Sequence, residues 1–244
     1  MQYAMKSGTE VNGVLLVDKS QDMTSHDAVA ITRRSLNTKK VGHCGTLDPL
    51  ATGLLLITIG KGTKIQDLLM SEDKEYVGTM KLGEVTDSQD AQGQVIETKP
   101  IPDLSISQIE MAFAKYHGDF YQTPPMVSAI KKDGVPLYKL ARQGKEVERE
   151  PRFVHVYAHE IQQVRLPEID FRVVCSKGFY VRTYANDIGQ ELGCGAHLTA
   201  LRRTKSGRFS VDGAVTIEEL KTLPREELAS RVLSLPEVSR LRGA

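Results

Sequence analysis

The chain has 244 residues, of which 40% are hydrophobic and 26% charged, values that fit one or two ordinary soluble globular domains. The formal net charge of +1 argues against an indiscriminate polyanion binder, so any nucleic-acid contact must come from local clusters of Lys and Arg. Three cysteines without a CxxC pair, a polar N-terminus from Met1 to Glu10 and no apolar run of about 20 residues predict a cytoplasmic protein without a signal peptide or membrane span.

Apolar runs and period-two alternation predict the strands. In chain order they are Val14–Val17, Leu54–Ile59, Tyr76–Leu82, the alternating segment from Val154 to Ala158, and Phe171–Cys175.

Helical patterns and capping residues predict the helices. One begins at Thr24 or Ser25 and runs to about Leu36, and the others are Ser107–Tyr116 with Glu110 in a capping box, Tyr184–Leu192, and Thr216–Leu223 with Glu219 in a capping box.

This mixture of strands and irregularly placed helices favours an α+β fold over a regular βαβ alternation. Val85–Gly93 is polar and ends in glycine, which predicts a loop. Thr123–Arg152 is a long polar segment with seven Lys and Arg side chains, and a loop of that length is more often functional than filler. A solvated surface helix around Leu137–Gln143 is the alternative for this segment.

Gly42–Gly53, with the sequence GHCGTLDPLATG, is the most informative segment. Pro49 directly after Asp48 opposes a regular helix or central strand, so we expect a shaped loop that presents His43 and Asp48. On the residues alone, Asp48 is equally well explained as a turn aspartate that accepts backbone amide hydrogen bonds.

The cysteines and histidines raise the question of two further kinds of site. His43 beside Cys44 invites a Cys–His nucleophile, but adjacent residues seldom direct their side chains at each other. The cysteines and histidines also lack the spacing of zinc ligands, so no metal site is predicted.

Two later segments combine aromatic and basic residues. In Cys175–Thr183, Phe179 and Tyr180 precede Arg182, and each could instead be a core aromatic or a surface cation. Leu201–Arg208 has four basic side chains in eight residues, which indicates a phosphate-contact patch or a plain solvated face.

Seven segments, in this order, resemble the motifs of the TruB family of bacterial tRNA pseudouridine synthases. They are Gly13–Lys19, Gly42–Gly53, Lys74–Tyr76, Thr86–Gly93, Ser128–Arg142, Cys175–Thr183 and Gly193–Arg203.

The resemblance implies a role for each matched residue. Asp48 would be the catalytic aspartate and Arg182 its ion-pair partner, and Tyr76 would stack on the target base. Tyr180 and Leu201 would line the pocket, His43 would wedge into the T loop, Lys19 would support the site electrostatically, and Asp90 would be a supporting loop aspartate. The patch residues expected to contact substrate phosphates are Arg202 and Arg203.

The resemblance also implies a mixed, largely antiparallel sheet with flanking helices and a central active-site cleft. We expect a catalytic domain at residues 1–215 with an RNA-binding insertion at 123–152, and a short helical extension at 216–244 in place of a C-terminal PUA domain. The chain departs from the family pattern at Ser20, Cys44 and Gln92, where Pro, Thr and Asp are usual, and none of these is a matched catalytic position.

The implied reaction is isomerisation of uridine 55 in the T loop of tRNA, without a cofactor or metal. The implied partner is the T-arm stem-loop of tRNA, with no membrane, no required protein partner and a monomeric enzyme. Two alternatives stay open: an RNA chaperone on the same scaffold, and a guide-RNA-dependent synthase that needs accessory proteins.

Overall fold

The computed structural model describes residues 10–128, 130–132, 134–137, 140, 143–145 and 147–243. The chain forms two compact units. The first unit comprises Met1–Glu72 and Arg203–Ala244, and the second unit comprises Asp73–Arg202.

The strands are numbered in chain order. They are β1 (Gly13–Lys19), β2 (Val41–Cys44), β3 (Thr52–Ile59), β4 (Lys74–Leu82), β5 (Glu84–Thr86), β6 (Val95–Thr98), β7 (Gly118–Gln122), β8 (Lys131–Lys132), β9 (Val135–Pro136), β10 (Arg152–Arg165), β11 (Glu168–Cys175), β12 (Ala196–Ser206), β13 (Phe209–Ser210) and β14 (Val215–Thr216).

The helices are numbered in the same way. They are α1 (Ser25–Ser35), α2 (Gln66–Met70), α3 (Ile106–Ala114), α4 (Val181–Glu191), α5 (Ile217–Thr222), α6 (Arg225–Ser230) and α7 (Leu235–Arg242), and a 3-10 helix, Gly60–Ile65, precedes α2.

In the first unit, β3 is flanked by antiparallel neighbours. β1 pairs with it along its whole length, from Gly13 opposite Ile59 to Lys19 opposite Gly53. β2 also pairs with β3, and β14 runs parallel to β1. The strands are rich in Val, Leu and Ile, so they bury a continuous apolar surface.

The core of the first unit joins residues that are distant in sequence. Leu54 and Leu56 on β3 pack with Val14 and Cys44, and with Leu69, Phe209 and Val238 from the segments that follow. The C-terminal residues of the chain therefore belong to the same core as its N-terminal strand. The boundary between a catalytic domain at 1–215 and an extension at 216–244 stays a prediction.

In the second unit, the strands β4, β11, β10 and β7 lie side by side in that order, and each is antiparallel to its neighbours. Tyr76 on β4 lies opposite Val173 on β11, and β10 pairs with both β11 and β7. The part of β12 in this unit lies beside β4, where the Thr199 hydroxyl donates to the Thr79 carbonyl oxygen at 3.1 Å.

An aromatic cluster fills the space between this sheet and its helices. Phe113 on α3 lies with its ring centroid 5.9 Å from that of Phe171 and 5.8 Å from that of Tyr184 on α4, both edge to face. Such edge-to-face contacts add about 0.5–1.5 kcal/mol per pair beyond the burial of area. They fix α4, which carries Arg182, against the sheet.

The predicted fold class is confirmed: each unit combines a mixed, largely antiparallel set of strands with helices. The capping box of Thr216 and Glu219 is present, and Thr24 rather than Ser25 caps α1. The box predicted from Ser107 and Glu110 is wrong, because α3 is capped by Ser105 with Gln108.

The polar segments are only partly covered by the described residues. The predicted loop at Val85–Gly93 begins within β5 and continues as turns. The predicted helix around Leu137–Gln143 lies largely outside the described residues, as do the side chains of Lys139 and Arg142. Within the part of the chain that the structure describes, no helix is long and apolar enough to span a membrane.

Candidate active site

Asp48 lies in the loop that joins β2 to β3, and the loop is a turn at this point. The amide of Ala51 donates to the Asp48 carbonyl oxygen at 3.0 Å. The Asp48 side chain is half-buried, while Leu47 and Leu50 on either side are buried. Two buried leucines therefore anchor a short segment on which a carboxylate is held near the surface.

Lys19 is the last residue of β1 and is completely buried. Its ammonium group donates to the carbonyl oxygens of Ser20 at 2.9 Å and Met23 at 2.8 Å. Burial lowers the Lys19 pKa to about 8, against the opposing effect of the Asp48 carboxylate, which favours the charged ammonium. The electrostatic role expected for Lys19 stays a prediction.

His43 lies on β2, opposite Ile57 of β3, and not in the loop as expected from the sequence. Its ring packs edge to face with that of His26, with centroids 5.3 Å apart. Burial lowers the His43 pKa to about 4, and the charges of His26 and Arg203 act in the same direction. Among the described residues the buried Nδ1 has no hydrogen-bond partner. His43 is therefore a neutral ring at physiological pH.

Arg203 is almost completely buried, with 1% of its surface exposed. Its Nε donates to the Leu54 carbonyl oxygen at 2.7 Å and its Nη2 to the Gly45 carbonyl oxygen at 3.1 Å. These contacts join the start of the loop that carries Asp48 to strand β3, which follows the loop. A buried guanidinium engaged in this way is a structural element, which opposes the phosphate-contact role expected for Arg203.

Gly53 shows how closely β12 approaches this loop. A Cβ at Gly53 would lie 2.3 Å from the Arg203 carbonyl oxygen, and the residue has a φ of 98°. Both the space and the backbone conformation therefore require glycine at the end of the GHCGTLDPLATG segment.

Arg182 is the second residue of α4 and is 3% exposed, so the surface-cation alternative for it is wrong. Its Nη1 donates to the Ser88 carbonyl oxygen and its Nη2 to the Val127 carbonyl oxygen, each at 2.9 Å. Its Nε lies 3.6 Å from Oδ2 of Asp90. The sequence did not predict Asp90 as an ionic neighbour of Arg182.

Asp90 also forms hydrogen bonds within the loop that follows β5. Its Oδ1 accepts from the Ser88 hydroxyl at 2.6 Å and from the Gln92 amide at 3.0 Å. The neighbouring Gln89 has a φ of 65°, and its side-chain oxygen accepts from the Thr183 hydroxyl at 2.8 Å. The loop and the first turn of α4 are thus joined at three successive residues, Ser88, Gln89 and Asp90.

The aromatic candidates lie on different elements of the second unit. Tyr76, on β4, is 9% exposed, and Leu201 on β12 is exposed to the same extent. Tyr180 precedes α4 and is half-buried, and its backbone amide and carbonyl are both bound by the Gln122 side chain. Phe179 is a core aromatic, packed against Tyr184 and Phe120.

The structure groups the predicted residues within each unit. Lys19, His43, Asp48 and Arg203 are in the first unit, and Tyr76, Asp90, Tyr180, Arg182, Leu201 and Arg202 are in the second. The Asp48–Arg182 pair therefore joins residues of different units and stays a prediction. The described residues contain no cluster of three or more metal-ligating side chains.

Two family models match the chain in sequence. The TruB family pseudouridylate synthase N-terminal domain matches residues 33–181, and the tRNA pseudouridylate synthase B C-terminal domain matches residues 182–236.

Relatives with curated names cover nearly the whole chain. A tRNA pseudouridine synthase B of Opitutus terrae is 57% identical over 92% of this chain and 93% of its own length. Those of Syntrophotalea carbinolica and Francisella philomiragia are 48% and 44% identical over 94% and 96% of this chain, and over 75% and 78% of their own lengths.

Among solved structures, a crystal structure of a Cbf5-Nop10-Gar1 complex contains a chain similar to this one. The match has a TM-score of 0.74 and 28% identity, and it covers 95% of this chain but 62% of the other. A structure described as an H/ACA RNP bound to a substrate RNA matches with a TM-score of 0.64 and 28% identity, over 85% of this chain and 51% of the other. On the strength of the family models and of relatives at 44–57% identity, the chain belongs to the TruB family of pseudouridylate synthases.

Proposed function

We propose that the protein is an isomerase that converts uridine 55 in the T loop of tRNA to pseudouridine. The observation that carries the proposal is the presence of Asp48 on a constrained loop of a TruB family chain. The reaction breaks the glycosidic bond, turns the base, and rejoins it to the ribose through carbon. The same atoms are present before and after, so the enzyme must supply only positioning, electrostatics and proton handling.

The target base must first leave the stacked T loop, at a cost of a few kcal/mol. Stacking on an aromatic face returns about 1–3 kcal/mol per base. We assign this stacking to Tyr76, with Tyr180 and Leu201 as further walls of the pocket. His43 fills the vacated place in the T loop, and a ring that stays neutral can enter a stack without the desolvation of a charge.

Asp48 is the group we assign to the chemistry at the glycosidic bond. To act as a nucleophile or base it needs a negative charge and a fixed orientation, both of which a neighbouring guanidinium can supply. The guanidinium of Arg182 is the proposed counter-charge, and the Lys19 ammonium provides a second one in the first unit. Asp90 and the Ser88 carbonyl hold Arg182 in a single orientation.

Substrate binding requires local positive charge, since the net charge is only +1. We assign phosphate contacts to Arg202 and to the basic insertion at residues 123–152. In the described part of that insertion, Arg149 donates to the Pro124 carbonyl oxygen at 3.3 Å.

We further propose that the protein acts as a monomer on bare tRNA and needs no protein partner. The solved Cbf5 structures contain other proteins, which makes a guide-dependent assembly the competing hypothesis. Cys44, Cys175 and Cys194 are buried thiols, which fits a reducing cytoplasm.

The deciding experiment uses the purified full chain, unmodified tRNA and mapping of pseudouridine by chemical labelling. The wild type should modify position 55 alone, and a tRNA with cytidine at that position should remain unmodified. Asp48→Asn, a nearly isosteric change, should abolish turnover while retaining tRNA affinity. A rate for Asp48→Asn within about tenfold of wild type, or about 1.4 kcal/mol of barrier, would show that Asp48 is only a turn residue.

A further inference from the structure

Ser25 is the first residue of α1 and is 1% exposed. Its hydroxyl oxygen accepts from the Leu47 amide at 2.9 Å, and the hydroxyl donates to the Leu47 carbonyl oxygen at 3.1 Å. One buried side chain thus satisfies both backbone groups of the residue that precedes Asp48. Such two-point contacts fix a peptide segment in orientation as well as in position.

The helix itself does not need this hydroxyl. Thr24 is the N-cap of α1: its side chain accepts from the Asp27 amide at 3.1 Å, and the Asp27 carboxylate binds back to Thr24. Ser25 makes its contacts across 22 residues of sequence instead. The Ser25–Leu47 contact is therefore not required for the formation of the helix.

The residue after Asp48 is held by the same segment. The Asp22 amide donates to the Pro49 carbonyl oxygen at 2.9 Å, and the turn that contains Asp22 is fixed by the Lys19 ammonium. Both chain neighbours of Asp48 are consequently tied to residues 22–25. With the Asp48 carbonyl bound by Ala51, the backbone on which this carboxylate stands has little freedom left.

We infer that Ser25 is a positioning residue for the reaction, which acts by holding Leu47 and so fixing the backbone from which the Asp48 side chain projects. The inference rests on the proposed function, because it takes Asp48 as the reacting group. A misplacement of about 1 Å can slow a reaction on the order of 100-fold, so loss of the Ser25 hydroxyl should be visible in the rate of the chemical step.

Thr32 provides a matched control. It lies on the same helix, is completely buried, and its hydroxyl donates to the Ala28 carbonyl oxygen at 2.8 Å. Thr32→Val removes a buried hydroxyl from α1 at nearly constant volume. It should lower stability without moving Leu47 or Asp48.

The experiment measures three quantities for the wild type, Ser25→Ala, Ser25→Cys, Thr32→Val and Asp48→Asn. They are the single-turnover rate with enzyme in saturating excess over tRNA, the Kd for tRNA, and the Tm, with rates taken well below the lowest Tm. Ser25→Ala should lose at least about tenfold in single-turnover rate, with the tRNA Kd within about twofold of wild type. Ser25→Cys, whose thiol is a weaker and longer hydrogen-bonding group, should have a single-turnover rate between those of the wild type and Ser25→Ala. Thr32→Val should react at the wild-type rate.

The inference is overturned if Ser25→Ala reacts within about twofold of the wild type, or if Thr32→Val slows the reaction as much as Ser25→Ala does. Should Ser25→Ala fail to fold, Ser25→Cys decides: a wild-type rate overturns the inference, and a lower rate at unchanged Kd supports it. An inactive wild type would instead contradict the proposed function. If the wild type is active, Asp48→Asn is inactive and Ser25→Ala reacts at the wild-type rate, the proposed function stands and only the positioning role of Ser25 is contradicted.

Discussion

Arg182 and Asp90 form an ion pair in which both side chains are almost completely buried, with Nε and Oδ2 3.6 Å apart. The Arg182 guanidinium also donates to two backbone carbonyls, so its charge is surrounded by acceptors. In a buried pair the loss of one charge leaves the other uncompensated, so breaking this pair should lower the free energy of unfolding more than breaking a surface ion pair does.

Asp90→Asn should therefore lower the free energy of unfolding by about 3 kcal/mol. The matched control is Glu191→Gln, which breaks the pair of Lys115 and Glu191, whose side chains are 57% and 38% exposed. An exposed pair contributes at most about 1 kcal/mol. Urea titration of both variants measures the difference, and equal losses would show that burial adds nothing to the Arg182–Asp90 contact.

Arg202 and Arg203 should respond differently to replacement by Ala. Arg202→Ala should weaken tRNA binding and reduce the slope of log K against log salt by about 1, because one phosphate contact is lost. Arg203→Ala should instead destabilise the fold by about 3 kcal/mol, since the carbonyls of Leu54 and Gly45 lose their donor. Binding titrations at several salt concentrations and thermal unfolding separate the two effects. An unchanged salt slope for Arg202→Ala would show that Arg202 is a surface residue that contacts no phosphate.

Tyr76→Phe keeps the aromatic face and should retain tRNA affinity, whereas Tyr76→Leu should lose about 1–3 kcal/mol of stacking on the extracted base. If the hydroxyl takes part in proton handling, the Phe variant will bind normally and turn over slowly. Because Tyr76 is 9% exposed, the Tm of each variant controls for altered packing. Wild-type activity in Tyr76→Leu would eliminate the stacking role.

His43→Gln should make the protein less sensitive to acid. The His43 pKa is lowered to about 4 in the folded chain, while in the unfolded chain it has its ordinary value of 6.5. Between these values the unfolded chain binds a proton that the folded chain does not, so stability falls as pH decreases from 6.5 to 4. Chemical denaturation at pH 7 and pH 4.5 should show a smaller loss for His43→Gln than for the wild type. An equal loss in both would contradict the burial effect at His43.

The sequence by itself determined the types of the elements it predicted, because their signals are local. Alternating and continuous apolar runs predicted β1, β3, β4, β10 and β11, and Thr216 with Glu219 predicted the start of α5. Where two local signals overlapped, the pattern was insufficient. Ser105–Gln108 and Ser107–Glu110 have the same spacing, and in the structure the first pair caps α3, whose buried face carries Ile109, Ala112 and Phe113.

The motif residues were also predicted from the sequence, but their partners depended on contacts between distant segments. Adjacent residues on a strand point to opposite faces, and the tertiary structure directs Arg203 inward, where its guanidinium binds the carbonyls of Leu54 and Gly45. On the residues alone Arg182 could equally have been a surface cation, and only the folded chain surrounds its guanidinium with Ser88, Val127 and Asp90.

Ser25 shows the same division most clearly. From the sequence, Thr24 and Ser25 were equivalent candidates for the cap of α1, since both hydroxyls stand at the start of the same apolar pattern. The folded chain assigns the cap to Thr24 and directs Ser25 to Leu47, 22 residues away. Capping depends on backbone amides within one helical turn and is therefore determined by the local sequence. The Ser25–Leu47 contact exists only because the loop between β2 and β3 packs onto the start of α1, and packing of that kind is decided by the tertiary structure.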